Sequence, residues 1–491
     1  MTMMSAPESV TDVTLPGLRI NGLPVEAERT FEVINPATGQ SVGHVPSTSD
    51  AQVEAAFAGA LAAFPSWSRD LGARRRALHA LADASEQHAD ELAVLLSLET
   101  GKPLKDARWE GRLAAGYYRY YADLSPEPES SLGPDGYRST IAHRPLGVVV
   151  NIHPWNYPIN NLAMKLAPAL RAGNVVIIKP SSASPLSGLR WAEIISDILP
   201  SGVVNILSGR EPLGANLASD PRTRKVSFTG STGVGKTLYA AVAHDVKRLT
   251  LELGGNDAAI VLPGAAVEEV ADGIYGSAFI NNGQVCAAIK RVYVHESQAE
   301  ELARALARRA AAARLGDPFD EATDLGPLTT AAQRQIVADL VDDALAGGAR
   351  VLTGGHNVDG MGGYFYAPTI VDRIAPDAPL VQEEQFGPAL PIVAYSDIEQ
   401  AVKWANETPY GLGASVWGDD HARAAELAVT LDAGTVTINR HGIGRPDVAF
   451  AGHGWSGLGV ENGHRGFEDF TAIQAIGTPG SVEPLFVDWR N

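Results

Sequence analysis

The feature that most constrains this chain is an alternation between residues 146 and 254, where five apolar, β-branched runs are separated by four helical stretches. GVVVNI leads into INNLAMKLAPALRAG, with Gly173 as the helix stop, and NVVIIKP leads into a helix around Leu186 to Leu199. VVNILSG, KVSFTG and RLTLELGG complete the series. Strands joined by helical crossovers build a parallel sheet, because two strands running the same way need a long connection between them. Such strands are covered on both faces, so they read as unbroken Val/Ile runs, and their ligands sit beyond the C-terminal ends. Motifs that carry chemistry are therefore expected directly after the strands.

A second α/β series starts after Gly254 and Gly255, with DAAIVLP, a helix towards Phe279, KRVYVHE, and a helix with Leu302 and Leu306 on one face. Ahead of the first series, residues 1–13 are small and polar and are expected to fray, with order starting near Leu15. FEVINPATGQ reads as a strand entering an Asn-Pro turn. The spacing Val53, Phe57, Leu61, Phe64 predicts a helix capped by Ser49, followed by one long helical stretch from about Arg74 to Tyr121. The Pro/Ser/Gly-rich SPEPESSLGPDGYRST then marks 125–145 as an arm. TAIQAI and LFVDW, apolar pieces after Phe467, are expected to pair with it as a subunit contact.

Several functions are excluded early. The formal net charge of -18 repels phosphate backbones and anionic lipid, so neither nucleic acid nor a membrane surface is an expected partner. No basic, then apolar, leader opens the chain and no run approaches the ~18 to 20 apolar residues of a membrane span. A single cysteine, Cys286, rules out an internal disulfide framework or a thiolate metal cluster and suits a reducing cytoplasm. The twelve His show no HExxH or comparable spacing, so no metal is expected.

Two motifs carry chemistry. Gly230 to Thr237, GSTGVGKT, satisfies GxxxxGK[ST] after a strand and before a helix, which alone would read as a P-loop ATPase. No apolar run of four closing on Asp or Glu is present to hold magnesium. What survives is a glycine turn and a helix N-terminus that favour a phosphate, which a dinucleotide pyrophosphate suits equally well. The second motif is FINNGQVCAA around Cys286, with Gly283 permitting unusual backbone and Ala287 and Ala288 leaving room at the sulfur. A free Cys is often only a small core hydrophobe. Its company argues otherwise: Glu252 in LELGG and Asn156 in HPWNYP both end strands, and thiolate, carboxylate and amide donor form an acyl-transfer set.

These residues resemble the aldehyde dehydrogenase superfamily over essentially the whole chain. PWNYP (154–158), KLAPAL (165–170), KPSSASP (179–185), FTGSTGVGK (228–236), LELGGN (251–256), NNGQVCAA (281–288) and EEQFGP (383–388) follow one another in that family's order. The resemblance implies an α/β fold with a Rossmann-type parallel-sheet cofactor domain (1–124 and 146–254), an α/β catalytic domain (255–453) and a β oligomerisation arm (125–145 and 467–491) making a homodimer or homotetramer. It implies oxidation of an aldehyde to its acid with NAD or NADP. Cys286 would be the nucleophile, Asn156 and the Cys286 N–H the oxyanion donors, and Glu252 the base that hydrolyses a thioester. Cofactor contacts would fall to Lys179 and Ser182, to Gly230, Ser231 and Gly235, to Glu384 and Phe386, and to Pro154 and Trp155. Glu384 also reads as a solvated helix charge. Glu461 in SGLGVENG would relay protons, although a surface ion pair explains it nearly as well. A CoA-acylating variant of the same fold is an alternative that Glu252 argues against.

Three departures from the family pattern matter. Many NAD-specific relatives carry an acid three positions after the lysine, where this chain has Ser182, which would not repel a 2′-phosphate. Arg210 in LSGREPLG would add charge to that phosphate, or would simply be solvated. AFAGHGWSG (449–457) replaces a family proline and lysine by Ala449 and Gly454. The loop NRHGIGRPD puts Arg440, His441 and Arg445 where the family lines its substrate, so either a cationic rim welcomes an acidic aldehyde or a polar loop balances an acidic surface.

Overall fold

The computed structural model describes residues 14–125, 129–442 and 444–481. Five parallel strands form the centre of the first sheet: Val148–Ile152, Val175–Lys179, Val204–Ile206, Thr223–Thr229 and Arg248–Glu252. Val148–Ile152 lies in the middle; the next two strands extend the sheet one way and the last two the other. The order therefore reverses beside Val148–Ile152, which is where an open α/β sheet opens a crevice. Short antiparallel strands close the edges, Leu18–Ile20 with Leu23–Val25 on one side and Gly457–Leu458 against Arg248–Glu252 on the other. The Val148 and Val175 strands are buried along their whole length, each apolar side chain contributing roughly 1.5 to 3 kcal/mol relative to exposure.

The second sheet has seven strands, with Asp257–Val261 and Ile289–His295 near its middle and only its Arg350–Thr353 edge antiparallel. Leu302 and Leu306 are buried against it from the helix Glu296–Ala312. Separate apolar clusters pack on its two faces. A third sheet pairs Glu129–Leu132, Tyr137–Pro145 and Thr471–Pro479 antiparallel, joining the arm to TAIQAI within one chain. The LFVDW segment and residues 1–13 lie outside the described residues.

The Ser49 cap is present as a full capping box with Gln52, heading the helix Asp50–Trp67. The long helix expected from Arg74 to Tyr121 is instead three: Leu71–Gln87, Ala89–Thr100 and Leu104–Asp123. Gly101 ends the middle one in the left-handed region at φ 77°, and Pro103 has no N–H with which to continue it. Among the described residues no helix is long and apolar enough to cross a membrane.

Candidate active site

The Cys286 loop is built by backbone conformation. After the helix Val267–Phe279, Asn281, Asn282 and Gly283 all take positive φ (50°, 59° and 74°), which turns the chain sharply at a cost that only glycine and asparagine bear easily. A Cβ at Gly283 would meet the Gly387 carbonyl at 2.3 Å. Side-chain amides lock the loop: Asn282 Nδ2 donates to Gly326 O (2.9 Å), Gln284 Nε2 to Asn281 O (3.0 Å), and Gln284 Oε1 accepts from Thr329 N (2.9 Å). Lys290, buried and unforeseen from the sequence except as the lysine four positions after the thiol, donates to the Val285 (2.6 Å) and Cys286 (2.9 Å) carbonyls.

Asn156 brings the first sheet to this loop. Its Nδ2 donates to Gln284 O at 2.8 Å and its own carbonyl accepts from Asn281 Nδ2 at 3.2 Å. One amide hydrogen is thus fixed, which orients the other. Glu252, at the end of its strand, is 1% exposed and neither carboxylate oxygen has a hydrogen-bond partner. Burial, reinforced by the Glu461 charge, holds its carboxyl well above the usual range. Cys286 keeps part of its surface accessible, but the dense surroundings push its thiol up to about 12; Lys290 opposes that shift, and Glu252 and Glu384 add to it. The two glycines after Glu252 permit this convergence: a Cβ at Gly255 would stand 2.6 Å from Cys286 O, and one at Gly254 2.1 Å from Glu384 Oε2.

Glu384 is no solvated helix charge. It accepts from Gly255 N (3.1 Å), pairs with Lys290 (3.5 Å), and burial raises its carboxyl. Phe386 packs edge-on to Trp155 with ring centroids 5.4 Å apart. Pro154 and Trp155 are half-buried. Glu461 is likewise not on the surface: it is 2% exposed and paired with buried Lys165, and its Oε1 also accepts from Ser227 Oγ (3.3 Å). The KLAPAL motif contained Lys165, but nothing in the sequence tied it to a glutamate 296 positions away.

The residues expected to meet a dinucleotide lie at the other strands' ends. Lys179 is buried with one long bond, to Pro180 O at 3.4 Å, and burial lowers its ammonium's pKa, so a ribose hydroxyl suits it. Ser182 is half-buried nearby in the chain. Ser231 caps the helix Thr232–Val242, Gly230 N donates to Glu252 O (3.1 Å), and Gly235 lets that helix approach Leu253, which a Cβ would meet at 2.4 Å. Nothing stands within 4 Å of a Cβ at Gly233, so the helix start is open to a pyrophosphate. Lys236 does not face that opening as a P-loop lysine would. Its ammonium lies 3.2 Å from the Trp455 ring centroid, which leaves the ATPase reading unsupported. These residues fit a dinucleotide.

The proposed rim is different from its sequence reading. His441 is buried, its Nδ1 against Ser415 Oγ (3.0 Å) and its Nε2 against Asp257 Oδ2 (3.2 Å), so it anchors the loop instead of facing a substrate. Arg445 pairs with Asp447, and Arg440 donates to the Gly442 carbonyl at 3.3 Å. Arg210 donates to Glu32 O (3.3 Å) and stands over the Phe31 ring.

Comparison with known proteins follows the same lines. Residues 24–476 match the aldehyde dehydrogenase family. The chain is 36% identical to phenylacetaldehyde dehydrogenase of Pseudomonas fluorescens, covering 97% of this chain and 98% of that protein. It is 38% identical to the NADP(+) succinate-semialdehyde dehydrogenase of Mycobacterium avium, covering 90% and 95%. Among solved structures, an aldehyde dehydrogenase of Bacillus cereus superposes with a TM-score of 0.93 at 33% identity, covering 98% of this chain and 100% of that one. Betaine aldehyde dehydrogenase of Staphylococcus aureus with NAD+ superposes at 0.92 and 30% identity, covering 98% and 97%. This chain belongs to the aldehyde dehydrogenase family and is an NAD(P)-dependent oxidoreductase of aldehydes.

Proposed function

We propose that Cys286, Asn156 and Glu252 are the catalytic residues of this aldehyde dehydrogenase. The observation that carries the reading is the buried Glu252 carboxylate, with both oxygens unpartnered and its charge felt by Cys286, at the sheet edge where Asn156 holds the cysteine loop. The thiol gives up its proton to water, and the sulfur bonds to the aldehyde carbon as the carbonyl π pair moves onto oxygen. The second Asn156 amide hydrogen and the Cys286 N–H stabilise the oxygen as it gains charge. A dinucleotide held beside Cys286 would supply the two-electron oxidation by accepting hydride, and what remains on Cys286 is a thioester. Glu252 then removes a proton from water, the water oxygen bonds to the acyl carbon, the C–S bond breaks, and acid and thiolate result. Lys165 and Glu461 stand behind Glu252 to receive that proton.

Lys179 and Ser182 would hold the adenine ribose, Gly230, Ser231 and Gly235 the pyrophosphate, and Glu384, Phe386, Pro154 and Trp155 the nicotinamide end. The first sheet with residues 1–124 and 146–254 is the dinucleotide-binding domain, 255–453 the catalytic domain, and 125–145 with 467–491 an arm that joins copies of the chain. A cytoplasmic setting suits its single thiol. Intact-mass analysis after mixing with aldehyde and NAD+ or NADP+ tests the reading. Cys286→Ala is expected to carry no acyl adduct while still binding dinucleotide, and Glu252→Gln to accumulate one. An adduct on Cys286→Ala would refute it, and acyl-CoA formed when CoA is added would favour the acylating alternative.

A further inference from the structure

Behind Asn156 lies a charged pair that the reaction as described does not use. The helix Ala89–Thr100 stops at Gly101; Lys102 follows it, and Glu110 lies within the next helix, Leu104–Asp123. Their side chains are paired with each other and completely buried. Taking two charges out of water costs about as much as their attraction returns, so an apolar pair of similar volume would hold the fold as well. Their presence is explained by what they hold.

What they hold is the turn that carries Asn156. Glu110 Oε1 accepts from Ile159 N (2.9 Å) and Asn160 N (3.1 Å), in the first turn of the helix Pro158–Arg171, which has no side-chain cap of its own. Lys102 Nζ lies 3.6 Å from the centroid of the Tyr157 ring, so one cation grips both the cap and the residue next to Asn156. Burial, with the Glu110, Asp106 and Cys286 charges, holds the Tyr157 phenol well above its usual range, so the ring stands within electrostatic reach of both the pair and the sulfur. The same corner of chain reaches the other end of the Asn156 amide. Thr329 Oγ1 donates to Thr100 O (2.8 Å), Thr329 N donates to Gln284 Oε1, and Gln284 O accepts from Asn156 Nδ2. Gly326, whose carbonyl accepts from Asn282 Nδ2, packs so closely there that a Cβ on it would stand 1.9 Å from Gly101 O. The backbone of Asn156 and the carbonyl that orients its amide are thus both referred to residues 100–102.

We propose that Lys102, together with Glu110, is a positioning residue for the Asn156 amide, setting where its second hydrogen points relative to the Cys286 sulfur. This role rests on the reading of Asn156 as the oxyanion donor. A fixed donor stabilises the oxygen only where the charge will develop, and a displacement of about 1 Å is enough to cost rate. Lys102 acts at a distance from the chemistry, through the Tyr157 ring and the Glu110 cap, so its loss is felt by a reaction that builds an oxyanion and not by one that needs the thiol alone.

The test needs no dinucleotide. p-Nitrophenyl acetate acetylates Cys286: the thiol proton passes to water, the sulfur bonds to the acetyl carbon and nitrophenolate leaves, so the rate of the nitrophenolate burst reads acylation through an oxyanion. Iodoacetamide alkylates the same sulfur by displacing iodide and builds no oxyanion, so it reads the thiol alone. Lys102→Met is expected to slow the burst by roughly tenfold and to leave alkylation at the parental rate. Asn156→Ala is expected to slow the burst by about 10²-fold, and adding Lys102→Met to it to change nothing further, because the group through which Lys102 acts is gone. A parental burst rate in Lys102→Met, equal slowing of burst and alkylation, or additive slowing in the double variant overturns the positioning role. Should Lys102→Met not fold, Lys102→Met with Glu110→Gln, which leaves no buried charge unpaired and keeps an oxygen for the two N–H groups, takes its place with the same expected and overturning results. Asn156→Ala with a parental burst rate, or a parent enzyme without a burst, overturns instead the roles of Asn156 and Cys286.

Discussion

Glu252 is under two opposed demands. A base must be ionised to accept a proton, yet burial and the Glu461 charge hold its carboxyl well above the usual range. Protonated at low pH, it becomes a base only as pH rises, so thioester hydrolysis is expected to climb with pH through that raised value. Glu252→Gln should flatten the profile and lower the rate by about 10²-fold or more, read from decay of the acetyl-enzyme. The thiol, pushed up to about 12, depends on Lys290, a cation that lowers it. Lys290→Met also removes the two carbonyl contacts that shape the loop. Slower alkylation of Cys286 by iodoacetamide is therefore expected, and an unchanged alkylation rate would discount Lys290. At the adenine end, Ser182→Glu places a carboxylate near the proposed 2′-phosphate site, and NADPH is expected to bind about tenfold more weakly, ~1.4 kcal/mol, with NADH little affected in fluorescence titrations.

At the scale of elements, the alternation of apolar runs and helices was legible because its cause is local: strands covered on both faces need Val and Ile throughout, and each crossover needs a stop such as Gly173. The proposed catalytic trio could be picked out because each member ends or follows a strand or a glycine-rich turn. What escaped reading depends on distant partners. Nothing near Glu461 announces Lys165, nothing near His441 announces Asp257, and the break at Gly101 was masked by helical spacing on both sides. Glu99 is another such residue. From inside the helix Ala89–Thr100 it accepts Leu186 N, Ser187 N (3.1 Å) and Ser187 Oγ, capping the helix Leu186–Ile195, which has no side-chain cap of its own. Burial raises its carboxyl from 4.5 to about 8. Between those values the folded chain holds a proton that the unfolded chain has released, so stability falls as pH rises across that window. Glu99→Gln, which cannot ionise, should remove that part of the slope in urea unfolding. Glu99→Ala should instead cost about 1 to 3 kcal/mol by leaving buried N–H groups unpaired.

For the whole molecule, the arm poses the open packing problem. Its three antiparallel strands leave Leu132, Tyr137 and Ile473 exposed at 58, 54 and 67%. A sheet this small has little stability unless a face is covered, and its outer strands offer unpaired backbone to whatever lies beside them. The cover most readily at hand is the same surface on another copy, since a two-fold contact buries each patch twice. The parent is therefore expected to run as a dimer or tetramer in light scattering. Ile473→Asp puts a charge into the contact and should shift it towards monomer on dilution while the nitrophenolate burst that p-nitrophenyl acetate gives per chain persists, because Glu252 ends a strand of another sheet and Cys286 lies on a loop outside the arm. A monomeric parent would show that the strands need no partner, and a monomeric variant that had lost its burst would mean that assembly reaches the catalytic loop as well.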